Sequence, residues 1–229
     1  MFKHNFLDFD NLSARLTDTG RYYKTPEGIE YPSVTTVLGR ASDNTWLEEW
    51  RKRVGKEKAD GISRQAMAKG TALHNLCESF LLNDPEFELK KRKVMPTTLM
   101  AFSGVRKVLE QYITTIYGVE CSLYSHDLKT AGRADCLCKF GGENVVLDFK
   151  TTKSMEPKKE SDIQNYFYQS TCYALMTEQL TGVKFPGIVI LLTNSHDKPQ
   201  LFVREKAKYI AKTKEIFYEQ ARIEENSKI

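Results

Sequence analysis

The sequence predicts a mixed α/β protein in which helices come first and a sheet core with one interposed helix follows. Two observations support this fold class. Apolar residues recur at helical spacing in the first half of the chain, and short β-branched runs bounded by turn signals fill the second half. We expect one domain over residues 1–229, with a mainly helical lobe and a small hairpin at 1–117 and the sheet core at 118–229.

The N-terminal lobe is predicted to begin with a hairpin. Residues 22–24 and 29–31 flank the turn signal Thr-Pro-Glu-Gly at 25–28. Ser33 then caps a short helix that ends near Gly39. Helical spacing or a helix-starting proline predicts further helices at about 46–54, 62–82 and 96–117.

The second half of the chain is predicted to alternate between strands and helices. Strands are expected at about 119–126, 131–140 and 144–151, and again near 186–193 and 200–204. One helix is expected at about 162–181, and a charged helix from about Glu205 closes the chain. These elements would form a central sheet with helices around it.

Composition restricts the class of protein. The chain has 41% hydrophobic and 28% charged residues, a net charge of +4 and five scattered cysteines. An odd, scattered cysteine set favours a reducing compartment over a disulfide framework. We see neither a signal or transit peptide nor an apolar run of membrane-spanning length, so we expect an intracellular, cytoplasmic protein without a membrane partner.

Basic clusters are together candidates for a phosphate path, although any single cluster is more typical of a solvated face or loop. They are Arg51-Lys52-Arg53, Lys90-Lys91-Arg92-Lys93 and Lys158-Lys159. Trp46 and Trp50 lie beside the first cluster. They are candidates for stacking on bases, with packing in the core as the alternative.

The strongest chemical signal is a predicted hairpin that carries Asp135, Asp148 and Lys150 around Gly141-Gly142. A two-residue turn sets Asp135 opposite Asp148, whereas a four-residue turn over 141–144 sets Asp135 opposite Lys150. Both turns leave these three side chains on one face of the hairpin. Two facing carboxylates repel each other unless a cation lies between them, so the pattern predicts a metal site.

The spacing D-x-K is weak on its own, because the chain carries a second copy at Asp127-Leu128-Lys129. No apolar strand run leads into that copy, and no acid is predicted to face it. The surroundings of Asp148 and Lys150 therefore carry the prediction.

Further residues are candidates for the same site. His74 and Glu78 lie four apart on one predicted helix, where His74 could bind a transition metal and Glu78 could support it. Glu120, in the strand before the hairpin, could supply another carboxylate. Gln169 and Tyr173 lie one helical turn apart after the hairpin and could contact phosphate or position Lys150, with core packing as the alternative.

In this order, His74, Gly132 to Asp135, Asp148 to Lys150 and Gln169 to Tyr173 resemble the motifs of the PD-(D/E)xK nuclease superfamily in its RecB-like branch. Residues 32–38, 47–53 and 74–81 are similar to segments of the mitochondrial genome maintenance exonuclease group and its phage relatives. The resemblance spans about residues 30 to 195.

The resemblance implies a restriction-endonuclease-like core with a central mixed sheet flanked by helices. It also implies a Mg²⁺- or Mn²⁺-dependent exonuclease that acts on single-stranded DNA from free ends, with one or two ions. It makes His74, Asp135, Asp148 and the Phe149 carbonyl metal ligands, with Glu78 or Glu120 as additional candidates. It makes Lys150 the residue that activates water.

Other residues acquire supporting roles from the resemblance. Gln169 and Tyr173 become active-site residues. The expected DNA contacts are Ser33, Thr35, Thr36, Trp50, Arg51, Lys52, Arg53 and Lys153. Iron–sulfur relatives carry a C-terminal cysteine cluster, and since no cysteine follows Cys172 we expect no such cluster here.

Two alternatives to the exonuclease remain open at this point. One is a structure-specific endonuclease of the same superfamily, and the other is a nucleic-acid-binding subunit that lacks catalysis. The intact acids and lysine argue against the second, since a binder has no need of facing carboxylates. We expect a monomer. Its role would be in DNA replication, repair or recombination, and a phage is one of the sources that the resemblance allows.

Overall fold

The structure is a computed structural model that describes residues 1–43, 45–194 and 198–226. The strands are β1 (Lys3–His4), β2 (Ser13–Thr17), β3 (Gly20–Lys24), β4 (Glu30–Pro32), β5 (Ile113–Ser125), β6 (Thr130–Phe140), β7 (Glu143–Thr151), β8 (Gly187–Thr193) and β9 (Gln200–Glu205). The helices are α1 (Val34–Ala41), α2 (Thr45–Val54), α3 (Lys56–Leu81), α4 (Phe87–Lys91), α5 (Pro96–Tyr112), α6 (Gln164–Thr181) and α7 (Ile210–Asn226).

A six-stranded mixed sheet in the order β1-β5-β6-β7-β8-β9 forms the centre of the fold. The β1–β5 and β7–β8 pairs are parallel, and the remaining neighbours are antiparallel. Residues of α1, α6 and α7 form one apolar core with this sheet, and residues of α3 and α5 form a second core with it. The predicted mixed sheet flanked by helices is therefore confirmed.

The small hairpin and the helix after it are also confirmed. β2, β3 and β4 form a separate three-stranded antiparallel sheet. Ser33 caps α1, because its Oγ accepts a hydrogen bond from the backbone N–H of Thr36 at 3.0 Å. An isolated parallel bridge joins Ser33 to Ala131 of β6, which places the start of α1 beside the hairpin of β6 and β7.

Two predicted helix boundaries are wrong. The helix expected to reach residue 117 ends at Tyr112, and the following residues belong to β5. The run Ile113-Thr114-Thr115-Ile116 is β-branched throughout, and such residues favour a strand over a helix. Helix α3 also begins at Lys56, earlier than expected, and β1, β2 and α4 were not predicted.

Helix α2 lies where it was predicted but buries none of its residues. Trp46 is 71% exposed, so its interpretation as a core side chain is wrong, whereas Trp50 is half-buried. The five cysteines are buried free thiols, as the composition suggested. Within the described part of the chain, every helix is too short or too polar to cross a membrane.

Candidate active site

The hairpin of β6 and β7 turns through two glycines. Gly141 and Gly142 have φ values of 59° and 96°, a combination that glycine adopts without strain and that two-residue hairpin turns require. Pairing runs from Phe140 with Glu143 to Cys136 with Leu147, and this register, extended by one residue, sets Asp135 opposite Asp148. The two-residue alternative is therefore confirmed and the four-residue alternative is wrong.

Asp148 and Lys150 form an ion pair on β7. Asp148 is 1% exposed, and its Oδ1 accepts a hydrogen bond from Gln169 Nε2 at 3.2 Å. Burial raises the pKa of Asp148 to about 6, even though the charge of Lys150 favours the carboxylate. Burial would lower the pKa of Lys150, but the facing carboxylates outweigh it and raise that pKa.

Asp135 is held by a main-chain donor and by an imidazole. Its Oδ2 accepts a hydrogen bond from the Phe149 N–H at 2.7 Å, and its Oδ1 lies 3.4 Å from His74 Nδ1. His74 Nε2 donates to the Phe149 carbonyl at 2.9 Å. Burial lowers the pKa of His74, but the Asp135 carboxylate outweighs it and raises the pKa to about 9. The imidazole, the carboxylate and the main chain of β7 are thus connected.

Strand β6 lies between β5 and β7. Glu120 of β5 is the neighbour of Asp135 on the β5 side, as Asp148 is on the β7 side. The neighbouring pairs are Val119 with Cys136 and Cys121 with Ala134, and the same register sets Glu120 against Asp135. The backbone of Glu120 has φ of 51°, a strained value for a non-glycine residue. Burial and the nearby Asp135 raise its pKa to about 7. Three carboxylates therefore form a row across β5, β6 and β7.

The helix α6 covers this row. Gln169 and Tyr173 are both buried on α6, and the amide of Gln169 donates to the Tyr173 hydroxyl at 3.4 Å. Gly132 makes room for the tyrosine, because a Cβ at this position would lie 2.8 Å from the ring. The glycine therefore has a packing role.

An open cleft of about 730 Å³ leads to these residues. His74, Glu120, Asp135 and Lys150 line it. Helix α3 forms one wall, and the small sheet with the start of α1 forms the other. Asp148 lies beneath the cleft surface, since it is almost fully buried.

The remaining predicted residues are spread over the cleft and its surroundings. Ser33, Thr35 and Glu78 line the cleft. The Thr36 hydroxyl instead accepts a hydrogen bond from the Arg21 N–H of β3 at 3.1 Å. The other candidates for DNA contact lie outside the cleft lining, Lys153 just after β7 and the rest on α2: Trp50, Arg51, Lys52 and Arg53.

The donor set fits a divalent cation. Ligand atoms of His74, Glu120 and Asp135 lie within 4.8 Å of one another. Carboxylate oxygens suit Mg²⁺ and Mn²⁺, and an imidazole shifts the preference towards Mn²⁺. Of the other predicted ligands, the Phe149 carbonyl accepts a hydrogen bond from His74, and Asp148 lies close enough to Asp135 and His74 for their charges to affect its pKa. Glu78 is outside the three-residue group but lines the same cleft.

Two residues of the site were not assigned a role from sequence. Arg133 lines the cleft two residues before Asp135. Tyr166 lies with its ring centroid 5.1 Å from Lys150 Nζ. Its position three residues before Gln169, on the same helix face, is a signal that could have identified it.

Comparisons with known proteins agree with this geometry. The profile of the PD-(D/E)XK nuclease superfamily matches residues 21–226. Mitochondrial genome maintenance exonuclease 1 of Homo sapiens is 25% identical over 141 residues, which are 58% of this chain and 40% of that protein. The Mus musculus protein of the same name is 28% identical over 136 residues, or 55% and 38% of the two chains. The chain thus spans about 40% of the length of these curated relatives.

A solved structure of a provisionally named exonuclease from Eubacterium rectale is also similar. It has a TM-score of 0.45 and 9% sequence identity, and the match covers 69% of this chain and 68% of that one. This likeness is too distant to add to the family assignment.

Proposed function

The chain belongs to the PD-(D/E)XK nuclease superfamily, and on that premise we propose that it is a divalent-cation-dependent exonuclease that degrades single-stranded DNA from free ends. Mg²⁺ or Mn²⁺ would be the cofactor. The enzyme would act in DNA replication, repair or recombination. A phage is one organism in which it would do so.

One observation carries the proposal: four elements bring an imidazole, three carboxylates and a lysine together at the base of an open cleft. The elements are α3, β5, β6 and β7. Burying like charges is costly unless cations balance them. Lys150 and a protonated His74 supply part of that balance, and a bound divalent ion would supply the rest. A protein that only bound DNA would gain nothing from this arrangement.

Each residue has a definable part in hydrolysis. His74, Asp135, Asp148 and the Phe149 carbonyl would hold the cation, with Glu120 as a further ligand. When bound, the ion would polarise the phosphate and acidify a water molecule. Lys150 would hold the attacking water by donating a hydrogen bond to its oxygen, since the ammonium lies at the cleft surface beside Asp148.

The supporting residues fix this geometry. Gln169 would orient Asp148 through its 3.2 Å hydrogen bond, and Tyr173 would support Gln169. Tyr166 would steady the ammonium of Lys150 through its ring. Ser33 and Thr35 would contact phosphate from the opposite wall. Outside the cleft, Thr36, Lys153 and the exposed cations of α2 would contact the strand as it approaches.

The requirement for a free end is supported by the similarity to two proteins named exonucleases, whereas the preference for a single strand rests on the motif resemblance in the sequence. It can be tested with one oligonucleotide in two forms, a linear strand and the same strand closed covalently into a circle. We expect the linear strand to be digested and the circle to survive. A linear duplex of the same sequence should be cut more slowly.

Controls separate the alternatives. Digestion of the circle would indicate an endonuclease and refute the exonuclease proposal. An inert protein that still binds the strand in Mg²⁺ and in Mn²⁺ would indicate a binding subunit. Blocking one end at a time would then give the polarity of cleavage.

A further inference from the structure

We propose that Arg133 binds a phosphate of the DNA strand next to the cleaved bond, and so forms a phosphate-binding site beside the cation ligands. The inference rests on the proposed function and names a residue for which neither the family motif nor the comparisons give a role. It follows from the position, the burial and the sparse contacts of this arginine.

The position of Arg133 is unusual for its strand. From Thr130 to Phe140, β6 is buried except at two basic residues: Arg133 is exposed and Lys139 is half-buried. Arg133 and Asp135 are two residues apart, so their side chains point to the same face of β6. Both line the cleft. A guanidinium thus stands beside the cation ligands rather than on the outer surface.

Arg133 is weakly held by the protein itself. Among the described residues its ionic partner is Glu120, with Nη1 and Oε2 3.9 Å apart, at the outer limit of an ion pair. Its side chain is 45% exposed. A structural arginine on a sheet normally uses several of its five N–H donors, as Arg204 does with both Nε and Nη2 on Glu160. Most donors of Arg133 are free to face the cleft.

The chemistry of the free donors points to phosphate. A guanidinium presents a planar fork that matches the non-bridging oxygens of a phosphate, and charge-assisted pairs of this kind are strong. Glu120 keeps the fork inside the cleft while leaving it accessible. Arg21 of β3 lines the same cleft and would extend the positive surface along the bound DNA strand.

The test compares Arg133→Ala, Arg133→Lys and a matched control, Lys139→Ala, which removes one positive charge from the far end of the same strand. Binding of a linear single strand is measured in Ca²⁺ over a range of salt concentrations. For Arg133→Ala we expect Kd to rise about tenfold or more. The slope of log Kd against log salt should fall by about 0.7, the value for one lost phosphate contact. Arg133→Lys should keep the slope, and Lys139→Ala should resemble the wild type.

Oligonucleotides with one neutral methylphosphonate linkage locate the contact. A single linkage near the cleaved end should weaken binding by the wild type and not by Arg133→Ala. If Arg133→Ala does not fold, Arg133→Gln takes its place, because an amide keeps a polar N–H donor on the side chain but has no charge.

Two failures can be told apart. A wild type that neither binds nor cleaves the strand refutes the proposed function. A wild type that cleaves, beside an Arg133→Ala variant with unchanged salt slope and unchanged response to every methylphosphonate, refutes the role of Arg133 alone.

Discussion

The chain contains the spacing D-x-K twice, and the two copies differ in their position in the fold, their burial and their partners. Asp148 and Lys150 lie on a central strand, form an ion pair and face other acids. Asp127 and Lys129 lie in the turn between β5 and β6, where Asp127 is exposed and Lys129 has φ of 46°. The Tyr218 hydroxyl donates to Asp127, and Glu225 pairs with Lys129.

The difference shows what makes a carboxylate chemically useful. Asp127 is exposed to water, which solvates its charge. Its ionisation therefore costs little free energy, and its charge has little effect on neighbouring groups. Asp148 is shielded from water, and burial of its charge raises its pKa to about 6. Under the proposed function, a cation that relieves this cost would be held where it can act on a substrate.

Asp148→Asn should have the largest effect on cleavage. The substitution keeps the shape of the side chain but removes a charge that the cation needs, so we expect cleavage of end-labelled single-stranded DNA to fall by about 10³-fold or more. Binding in Ca²⁺ should stay measurable. The matched control Asp127→Asn should cleave at the wild-type rate, and equal losses in both variants would contradict the contrast.

Lys150→Ala should come next. Loss of the ammonium removes the group that positions the water, which typically costs about 10²–10⁴-fold. Single-turnover rates with saturating cation measure the loss, and Lys129→Ala is its control. Full activity of Lys150→Ala would remove the lysine from the mechanism.

Cation affinity should depend on pH at the buried site. Binding requires Asp148 to be ionised and His74 to lose a proton, and their pKa values are about 6 and about 9. Affinity should therefore rise between these two values, by about tenfold per pH unit for each displaced proton. Calorimetric titration with Mn²⁺ in buffers of different ionisation enthalpy measures the protons released.

Two variants sharpen this titration. His74→Gln should flatten the rise towards high pH, whereas Asp127→Asn should follow the wild-type profile. A wild-type affinity that did not change with pH would show that these groups do not bind the ion.

Gly132→Ala should destabilise the fold rather than act on chemistry. The added Cβ would lie 2.8 Å from Tyr173, which is buried and bonded to Gln169 and so has little room to move. We expect a loss of about 1–3 kcal/mol in the free energy of unfolding, measured with urea. Gly61→Ala in α3, with nothing within 4 Å of the added Cβ, should instead stabilise by about 0.5–1 kcal/mol.

Lys129→Ala should have the smallest effect of all. Its ion pair with Glu225 joins two well-exposed side chains, and such pairs contribute less than about 1 kcal/mol. Thermal unfolding in low and high salt measures this contribution. A larger, salt-dependent loss would mean that the turn matters more than its exposure suggests.

The sequence was sufficient for the parts of the molecule that local rules determine. Alternation fixed which side chains share a face, and the glycine pair fixed the turn, so the Asp135–Asp148 register was predictable. The Ser33 cap followed from residue preference. The contact between His74 and Asp135 could be expected only from the resemblance, because the two residues are distant in sequence.

Other features depend on tertiary context that no local pattern contains. β1 is two residues long and exists because β5 offers it an edge. The end of α5 at Tyr112 is different, because the β-branched run from Ile113 is a local strand signal that pairing with β6 then stabilises. The exposed face of Trp46 and the raised pKa of Lys150 depend on which neighbours the fold supplies.

Phe149 occupies the position that the D-x-K pattern leaves unspecified. Its ring packs in the core on the far side of the sheet, while its N–H bonds to Asp135 and its carbonyl to His74. Side-chain replacement leaves both main-chain bonds in place, so an alanine scan would report only packing at this residue. Replacing the Phe149 amide by an ester in a semisynthetic protein would reveal the contribution of its N–H to the site. A comparison of relatives by side chain alone will miss this main-chain contribution.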